Sequence, residues 1–378
     1  MSGTVHQVSL FDGVGCAPAG SEREYRIRFP ADYRPSSRME DRGRDEWRLR
    51  LAQAQADGEL RPALVARIKA SLERLPVLAP DQSGIICYSC GKDSAASFAL
   101  ARMWYSPEQL IGLFANTHDE LKPSYDHLPV FRDWIGVPIH TADSEGIHTL
   151  LRNRIPIWPK RSMRHCTKET KLIPMRDWMD LQGFGQERLR GGRPAFRNLE
   201  PYTELAPAPI TFAGERRAES DARKDLPLQS RSPELLRQTH RPVIDWTIQD
   251  VWEFLLWLRA PINPVYLMGF GRCACSGCPL AGSEDKYLLG EIAPEALAEW
   301  VITEQRIGVP WRGLPGGFGQ LWDELVQSGR LGCRSGTPFD LEAFNLRLGE
   351  VDVHPRNIAF RLNREAEESQ NPQLRLAL

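Results

Sequence analysis

From residue 84 onward, short apolar runs alternate with longer stretches of helical periodicity. The apolar runs at 84–88, 110–115, 137–141, 209–213 and 241–245 have the length of strands buried on both faces. Between them, 94–105, 123–135, 168–181 and 247–259 carry apolar residues at helical spacing. This alternation predicts an α/β fold, a parallel sheet with helices on both faces, and places ligands at the carboxyl ends of the strands. Upstream, Leu49, Leu51, Ala54, Leu60, Leu64, Ile68, Leu72 and Leu75 predict two amphipathic helices, broken near Gly58 and packed against the sheet domain. Residues 1–37 lack periodicity and read as an arm. Residues 183–208, rich in Gly, Pro and Arg, read as a long loop. The segment holding Trp300, Trp311 and Trp322 reads as an additional helical region, and a charged tail follows from Asn363. The expected division is an N-terminal arm and helical extension (1–80), the sheet domain (81–260), a cysteine-bearing helical region (261–350) and a tail (351–378).

A composition of 42% hydrophobic and 26% charged residues over 378 positions is that of a soluble globular protein. No apolar run approaches a membrane span, and the first residues lack a secretory pattern, so a cytoplasmic location is expected. The net charge of −1 is unevenly spread: between Arg152 and Arg231 stand 17 Lys and Arg against 10 Asp and Glu. A basic middle suits nucleotide phosphates or a nucleic-acid backbone, with a solvated face as the plain alternative. The eight cysteines point to metal or sulfur chemistry rather than a disulfide frame.

Residues 84–94 read GIICYSCGKDS. The apolar strand stops at Ser89-Cys90-Gly91-Lys92-Asp93-Ser94, and a helix-compatible run follows. Such a junction offers backbone N–H groups and the positive end of a helix to an anion. Gly91 permits close backbone approach and Ser94 can cap the helix. The spacing differs from G-x-x-x-x-G-K-[ST], so this is not an ordinary P-loop. Lys92 would neutralise phosphate charge, and Asp93 would hold Mg²⁺ or orient the loop. Arg164-His165-Cys166-Thr167-Lys168 sets a cysteine among basic groups near a helix start, where a lowered thiol pKa is expected, suiting a metal ligand or a sulfur carrier; a buried inert cysteine is the alternative. In GERRAESDAR (214–223), Arg216 and Arg223 can clamp phosphate oxygens while Glu219 fixes an arginine. PVIDWTIQDVWEFLL (242–256) is structural: Thr247 and Asp250 form a capping box, and Trp246, Val251, Trp252 and Leu255 have core spacing. Cys275-x-x-Cys278 is a metal-ligand turn, with Cys273 offering a third thiolate. Zinc and a redox dithiol are both open for it. Cys333 could replace Cys166 or Cys273, Cys87 reads as core, and Cys90, inside the phosphate loop, is not taken as a ligand.

In order along residues 81–285, five segments together resemble the PAPS reductase (phosphoadenosine phosphosulfate reductase) family of the PP-loop, adenine nucleotide alpha-hydrolase-like enzymes. Ser89–Ser94 matches S-x-G-K-D-S. Arg164, Cys166, Thr167, Lys171 and Pro174 match R-x-C-T-x-x-x-K-x-x-P. Arg216, Glu219, Ser220 and Arg223 match G-x-R-x-x-E-S-x-x-R, and Trp246-Thr247 with Asp250-Val251-Trp252 matches W-T-x-x-D-V-W. The strand-end D-T-G-x-E appears as Asn116-Thr117-His118-Asp119-Glu120, with Asn116 and His118 replacing Asp and Gly. The resemblance implies a Rossmann-like sheet. It also implies nucleotide contacts from Ser89, Gly91, Lys92, Asp93, Ser94, Asn116, Glu120, Lys171, Arg216 and Arg223, with Lys92, Asp93 and Arg216 in the chemistry. It further implies a 4Fe-4S cluster on Cys166, Cys273, Cys275 and Cys278, ahead of zinc on the same residues. By motif set the chain looks nearest to the adenylating component of DNA phosphorothioation. That implies ATP with Mg²⁺, cleavage at the α-phosphorus, a DNA acceptor and a sulfur-donor protein such as a cysteine desulfurase. PAPS reduction is the second reading; the resembled reductases use a cysteine in an E-C-G-[IL]-H-type tail, whereas this chain ends QNPQLRLAL. A non-catalytic nucleotide- or nucleic-acid-binding subunit is the third.

Overall fold

The structure, a computed structural model, describes residues 29–30, 32–186, 207–273 and 275–357. The expected arm, the 183–208 loop and the tail lie in large part outside the described residues. Helices α1 (Arg44–Ala56) and α2 (Pro62–Glu73) are followed by β1 (Gly84–Tyr88), α3 (Lys92–Arg102), β2 (Leu110–Asn116), α4 (Lys122–Ile135) and β3 (Ile139–Asp143). Then come α5 (Ile173–Leu181), β4 (Ile210–Ala213), β5 (Gln229–Ser232), β6 (Arg237–His240) and α6 (Ile248–Trp257). The strands form one sheet in the order β3-β2-β1-β4-β6-β5, parallel except for the β5–β6 pair. Period-2 alternation divides each central strand between two faces. Ile86, Tyr88, Phe114 and Phe212 face a core built with α1 to α4 and α6. Ile85, Leu113, Ala115 and Ala142 face the other side, where Met175 and Met179 of α5 cover them.

The last expected strand, 241–245, is a turn. Val243 and Ile244 are fully buried there, and the strand lies just upstream in the polar run Arg237–His240. In that run Arg237 and Thr239 are paired across the fold, whereas both ring nitrogens of buried His240 have no hydrogen-bond partner among the described residues. Arg237 Nη2 donates to Asp180 Oδ1 at 2.6 Å, and the Thr239 and Thr211 hydroxyls bond across β4 and β6 at 2.8 Å.

The two N-terminal helices are held by packing and by one buried acid. Trp47, Leu51, Leu64, Ile68 and Leu72 join the core of the sheet domain; Leu49, expected inward, is exposed. Asp250 has a fully buried side chain. It accepts from Thr247 N (2.8 Å) and Thr247 Oγ1 (2.7 Å), closing the capping box at the start of α6. It also accepts from Arg61 Nη2 (3.0 Å) and from Arg67. Asp250→Ala leaves Arg67 without its acid, leaves Arg61 with Glu253 alone, and removes the reciprocal half of the capping box at α6. The expected cost is about 3 kcal/mol, in the range for breaking a buried ion pair and at its low end because both arginines are partly solvated. Urea unfolding of variant and wild type measures it, and equal midpoints would refute this role for Asp250.

Beyond α6, four more helices, α7 (Ser283–Ile292), α8 (Pro294–Ile307), α9 (Gly317–Gln327) and α10 (Leu341–Gly349), enclose a second apolar cluster. Trp300 stacks on Phe318 and Trp158, with centroids 5.4 Å and 6.2 Å away. Glu304 of α8 accepts the backbone N–H groups of Trp311 (2.7 Å), Phe318 (3.0 Å) and Gly319 (2.8 Å), satisfying the first turn of α9. No helix among the described residues is long and apolar enough to cross a membrane.

Candidate nucleotide and thiol site

The chain leaves β1 to build β2 and β3 on one side, then returns to place β4, β6 and β5 on the other. The sheet therefore reverses its direction of growth between β1 and β4, and in such sheets ligands bind in the crevice outside the strand ends at that point. Two predicted segments meet there: the loop after β1 and the Gly214–Arg223 segment after β4.

The loop after β1 is built differently from its sequence reading. The left-handed residue is Cys90 (φ 59°), while Gly91 is extended and is the N-cap of α3. Ser94 lies inside the helix; its hydroxyl donates to Gly91 O (2.9 Å) and accepts Ser89 N–H (3.1 Å), so it ties the loop together instead of capping a helix N–H. Lys92 N donates to Tyr266 Oη at 3.0 Å. Asp93 stands between two cations: Lys92 Nζ is 3.0 Å from its Oδ2, and Arg216 Nε is 2.6 Å from its Oδ1. Burial alone would raise the Asp93 carboxyl, but Lys92 and Arg216 outweigh it and hold the group below the usual carboxylate range. Arg216 is itself buried and donates from Nη1 to Trp246 O (3.1 Å).

The approach of the β4 segment to this loop requires Gly214. A Cβ there would lie 2.5 Å from the Asp93 carbonyl carbon and oxygen and from Ser94 N. Beyond it, Glu219 accepts from Arg216 N (3.2 Å) and from Arg223, so it fixes arginines as expected. Burial pushes the Arg223 guanidinium down, and Arg164 and Arg272 push the same way, while Glu215 opposes them. Positive charge from three parts of the chain is thus gathered beside the β1 loop.

At the end of β2, Asn116 Nδ2 donates to Asp143 Oδ1 (2.9 Å), while its Oδ1 accepts from His118 N (3.0 Å) and Tyr125 Oη (2.9 Å). Glu120 accepts from Thr117 Oγ1 (2.8 Å) and Tyr125 Oη (3.0 Å) and holds the turn closed. Lys171 follows the short helical turn bearing Cys166. Burial would lower its ammonium, but Cys275, Glu120 and Cys278 outweigh that and raise it. It therefore faces the thiol side of the site.

The four cysteines are not brought into one set. The charge of Cys278 acts on both Cys166 and Cys275, and Cys275 Sγ lies 3.3 Å from Thr117 Oγ1. Cys273 Sγ sits instead among Asn263 Nδ2 (3.2 Å), Ser124 Oγ (3.3 Å) and Ser89 O (3.8 Å). Among the described residues, no three His, Cys, Asp or Glu side chains are gathered closely enough to hold a metal ion. Neither a four-thiol cluster nor a zinc site is shown by this arrangement, and no chemical step is derived through one. The thiol of Cys166, expected to be acidic, is raised: burial dominates, Cys278 adds to it, and the Thr167 bonds and Arg164 only partly oppose it. Cys87 in β1 is likewise pushed up to about 12 by burial.

Sequence reasoning missed the residues that join these pieces. Tyr266 receives both Lys92 N and Cys273 N (3.4 Å), and Asn263 Nδ2 bonds Cys90 O at 3.1 Å. The only local signal was the Asn263-Pro264-Val265-Tyr266 run ahead of the cysteines.

A profile of the phosphoadenosine phosphosulfate reductase domain matches residues 84–281, more than half of the chain. The chain belongs to that family, within the PP-loop superfamily. The match begins at β1 and ends just after Cys278, so it takes in the β1 loop, Gly214–Arg223 and the cysteines. The chain is 26% identical over 239 residues to an uncharacterized protein of Methanocaldococcus jannaschii, covering 63% of this chain and 51% of that protein. It is 32% identical over 92 residues to an adenosine 5'-phosphosulfate reductase of Neisseria meningitidis, covering 24% of this chain and 38% of that enzyme. The matches thus span about half the length of these curated relatives or less. Among solved structures, a phosphoadenylyl-sulfate (PAPS) reductase from Candida auris aligns with TM-score 0.36 at 12% identity, over 60% of this chain and 93% of that one. The U34-tRNA thiolase from Methanococcus maripaludis, solved with its [4Fe-4S] cluster, aligns with TM-score 0.35 at 11% identity, over 77% and 82%.

Proposed function

We propose that this member of the family binds ATP in the crevice between β1 and β4 and uses it to adenylate an acceptor for sulfur transfer, with a DNA backbone phosphate as the acceptor. The observation that carries the reading is the meeting of Lys92, Asp93 and Arg216 at the switch point of the sheet, with Arg223 beside them. An acceptor oxygen attacks the α-phosphorus. The bond from that phosphorus to the bridging oxygen breaks, and pyrophosphate leaves with the electron pair. Lys92 and Arg223 stabilise the charge that builds on the phosphates, and Arg216, oriented by Asp93, stands behind them. A divalent cation arriving with the ATP phosphates is part of the substrate. Cys275 and Cys278 lie across the Thr117–Glu120 turn from the crevice and are the thiols proposed for the sulfur step, with Lys171 as their nearby cation. The basic middle of the chain supports a polyanionic acceptor.

DNA-dependent formation of AMP tests this reading. The expected result is AMP release from Mg-ATP that rises when duplex DNA is added; release indifferent to DNA would remove DNA as the acceptor. The second reading, reduction of an adenylyl sulfate, is favoured by the similarity to adenosine 5'-phosphosulfate reductases. Thiol-dependent sulfite release from PAPS or adenosine 5'-phosphosulfate, without ATP consumption, would establish it in place of the first.

A further inference from the structure

The turn carrying Cys275 and Cys278 is gripped from two directions at Ser276, the first of the two residues between them. From the sheet side, Asp119 Oδ1 accepts from Ser276 Oγ at 2.7 Å, and Asp119 O accepts the Ser276 N–H. From the helical side, Trp300 of α8 donates its indole N–H to Ser276 O. The same tryptophan lies against Gly277 (φ 59°), where a Cβ would come within 2.5 Å of its ring. Asp119 is held in turn by His148, whose Nε2 lies 3.1 Å from Oδ1 and whose Nδ1 lies 2.8 Å from Thr303 Oγ1, one turn further along α8. His148 also meets Trp300 edge-on, with centroids 4.7 Å apart. Asp119, Ser276, Trp300 and Thr303 are all buried, so these bonds are shielded from water.

We infer that Asp119, His148 and Trp300 are positioning residues that lock the Cys275–Cys278 turn against the nucleotide end of β2, and that α8 is therefore part of the thiol site rather than packing alone. Two independent elements grip a single residue of a four-residue turn, and both grips include a main-chain atom of Ser276. Thr117, on the same strand-end turn as Asp119, touches Cys275 Sγ, so the lock aligns the thiols with the turn that borders the crevice.

The inference rests on Cys275 and Cys278 being the working thiols. Its test needs neither nucleotide nor metal, so it fails separately from that reading, which falls if Cys275→Ser with Cys278→Ser leaves sulfur transfer intact. The test is the rate of iodoacetamide alkylation at each cysteine of the reduced full-length chain, read by peptide mass spectrometry, with exposed Cys333 as internal reference. Ser276→Ala removes the hydroxyl donor to Asp119, and Trp300→Phe removes the indole donor while keeping a stacked ring. Each is expected to speed alkylation of Cys275 and Cys278 about fivefold relative to Cys333, the population gain for opening a turn that has lost one hydrogen bond. The double variant, which loses both bonds to the same residue, is expected to exceed either single variant at Cys275 and Cys278 relative to Cys333. Asp119→Asn, which keeps the shape and can still accept from Ser276, is expected to stay near wild type. Relative rates unchanged in the double variant, or a uniform rise at Cys275, Cys278 and Cys333 together, would overturn the inference.

Discussion

Gly214→Ala is expected to lose ATP binding about a hundredfold, the scale of loss when a catalytic geometry is displaced by an ångström. The added methyl would stand 2.5 Å from the Asp93 carbonyl and Ser94 N. Those are backbone atoms in the first turn of α3, so no rotamer change relieves the contact. Either the β4 segment backs away, taking Arg216 and Arg223 with it, or the β1 loop distorts. Overpacking of this kind costs about 1–3 kcal/mol in stability, less than a domain of this size needs to unfold, so the variant remains folded and measurable. Calorimetric titration with ATP, alongside urea unfolding, separates the two effects. A folded Gly214→Ala protein that binds ATP as wild type does would place the phosphate site elsewhere.

Arg216→Gln carries the largest expected loss of stability, about 3–5 kcal/mol, the cost of removing one partner from a buried ion pair. Arg216 is 2% exposed and supplies donors to Asp93 and to Trp246 O. Without it, Asp93 keeps only Lys92. The pH dependence follows from the direction of the shift. In the wild type Asp93 is held below its ordinary value of 3.8, so the stability from pairing is present above that pH and is lost as pH falls through the depressed value. In the variant, burial is less opposed and the carboxyl protonates at higher pH. The gap between wild type and variant is therefore widest near neutrality and narrows as pH falls from the variant's higher carboxyl value to the wild type's depressed one. Arg216→Gln combined with Asp93→Asn is expected to recover part of the loss, because the uncompensated charge is gone. A gap independent of pH, with no recovery in the double variant, would show that the ion pair is not the cause.

Strand and helix positions around the site could be read from the chain wherever burial demanded an apolar run. β1, β2 and β4 begin and end within about a residue of the expected bounds, since each is sandwiched between helices and has no polar face to blur its edges. β6 could not be read that way. Its residues, Arg237–His240, are polar throughout, with Arg237 and Thr239 paired inside the fold, and the apolar Val243 and Ile244 fill the core from a turn. The loop between β1 and α3 stands where the chain pattern places it, but its internal bonding could not be read, because Ser94 bonds to Gly91 and Ser89 instead of a free N–H. The acidity expected for Cys166 counted its basic neighbours in sequence and missed its burial beside Cys278. The links through Tyr266, Asn263 and Asp119 join residues more than 150 positions apart, and no local pattern announces them.

Product analysis with ATP labelled at the α-phosphorus, using anaerobically purified protein, Mg²⁺ and DNA, tests the central claim most directly. The account predicts that the label ends in AMP or on the acceptor while pyrophosphate leaves unlabelled, and that Lys92→Ala removes both products. Label recovered in ADP, or turnover that survives Lys92→Ala unchanged, would contradict it.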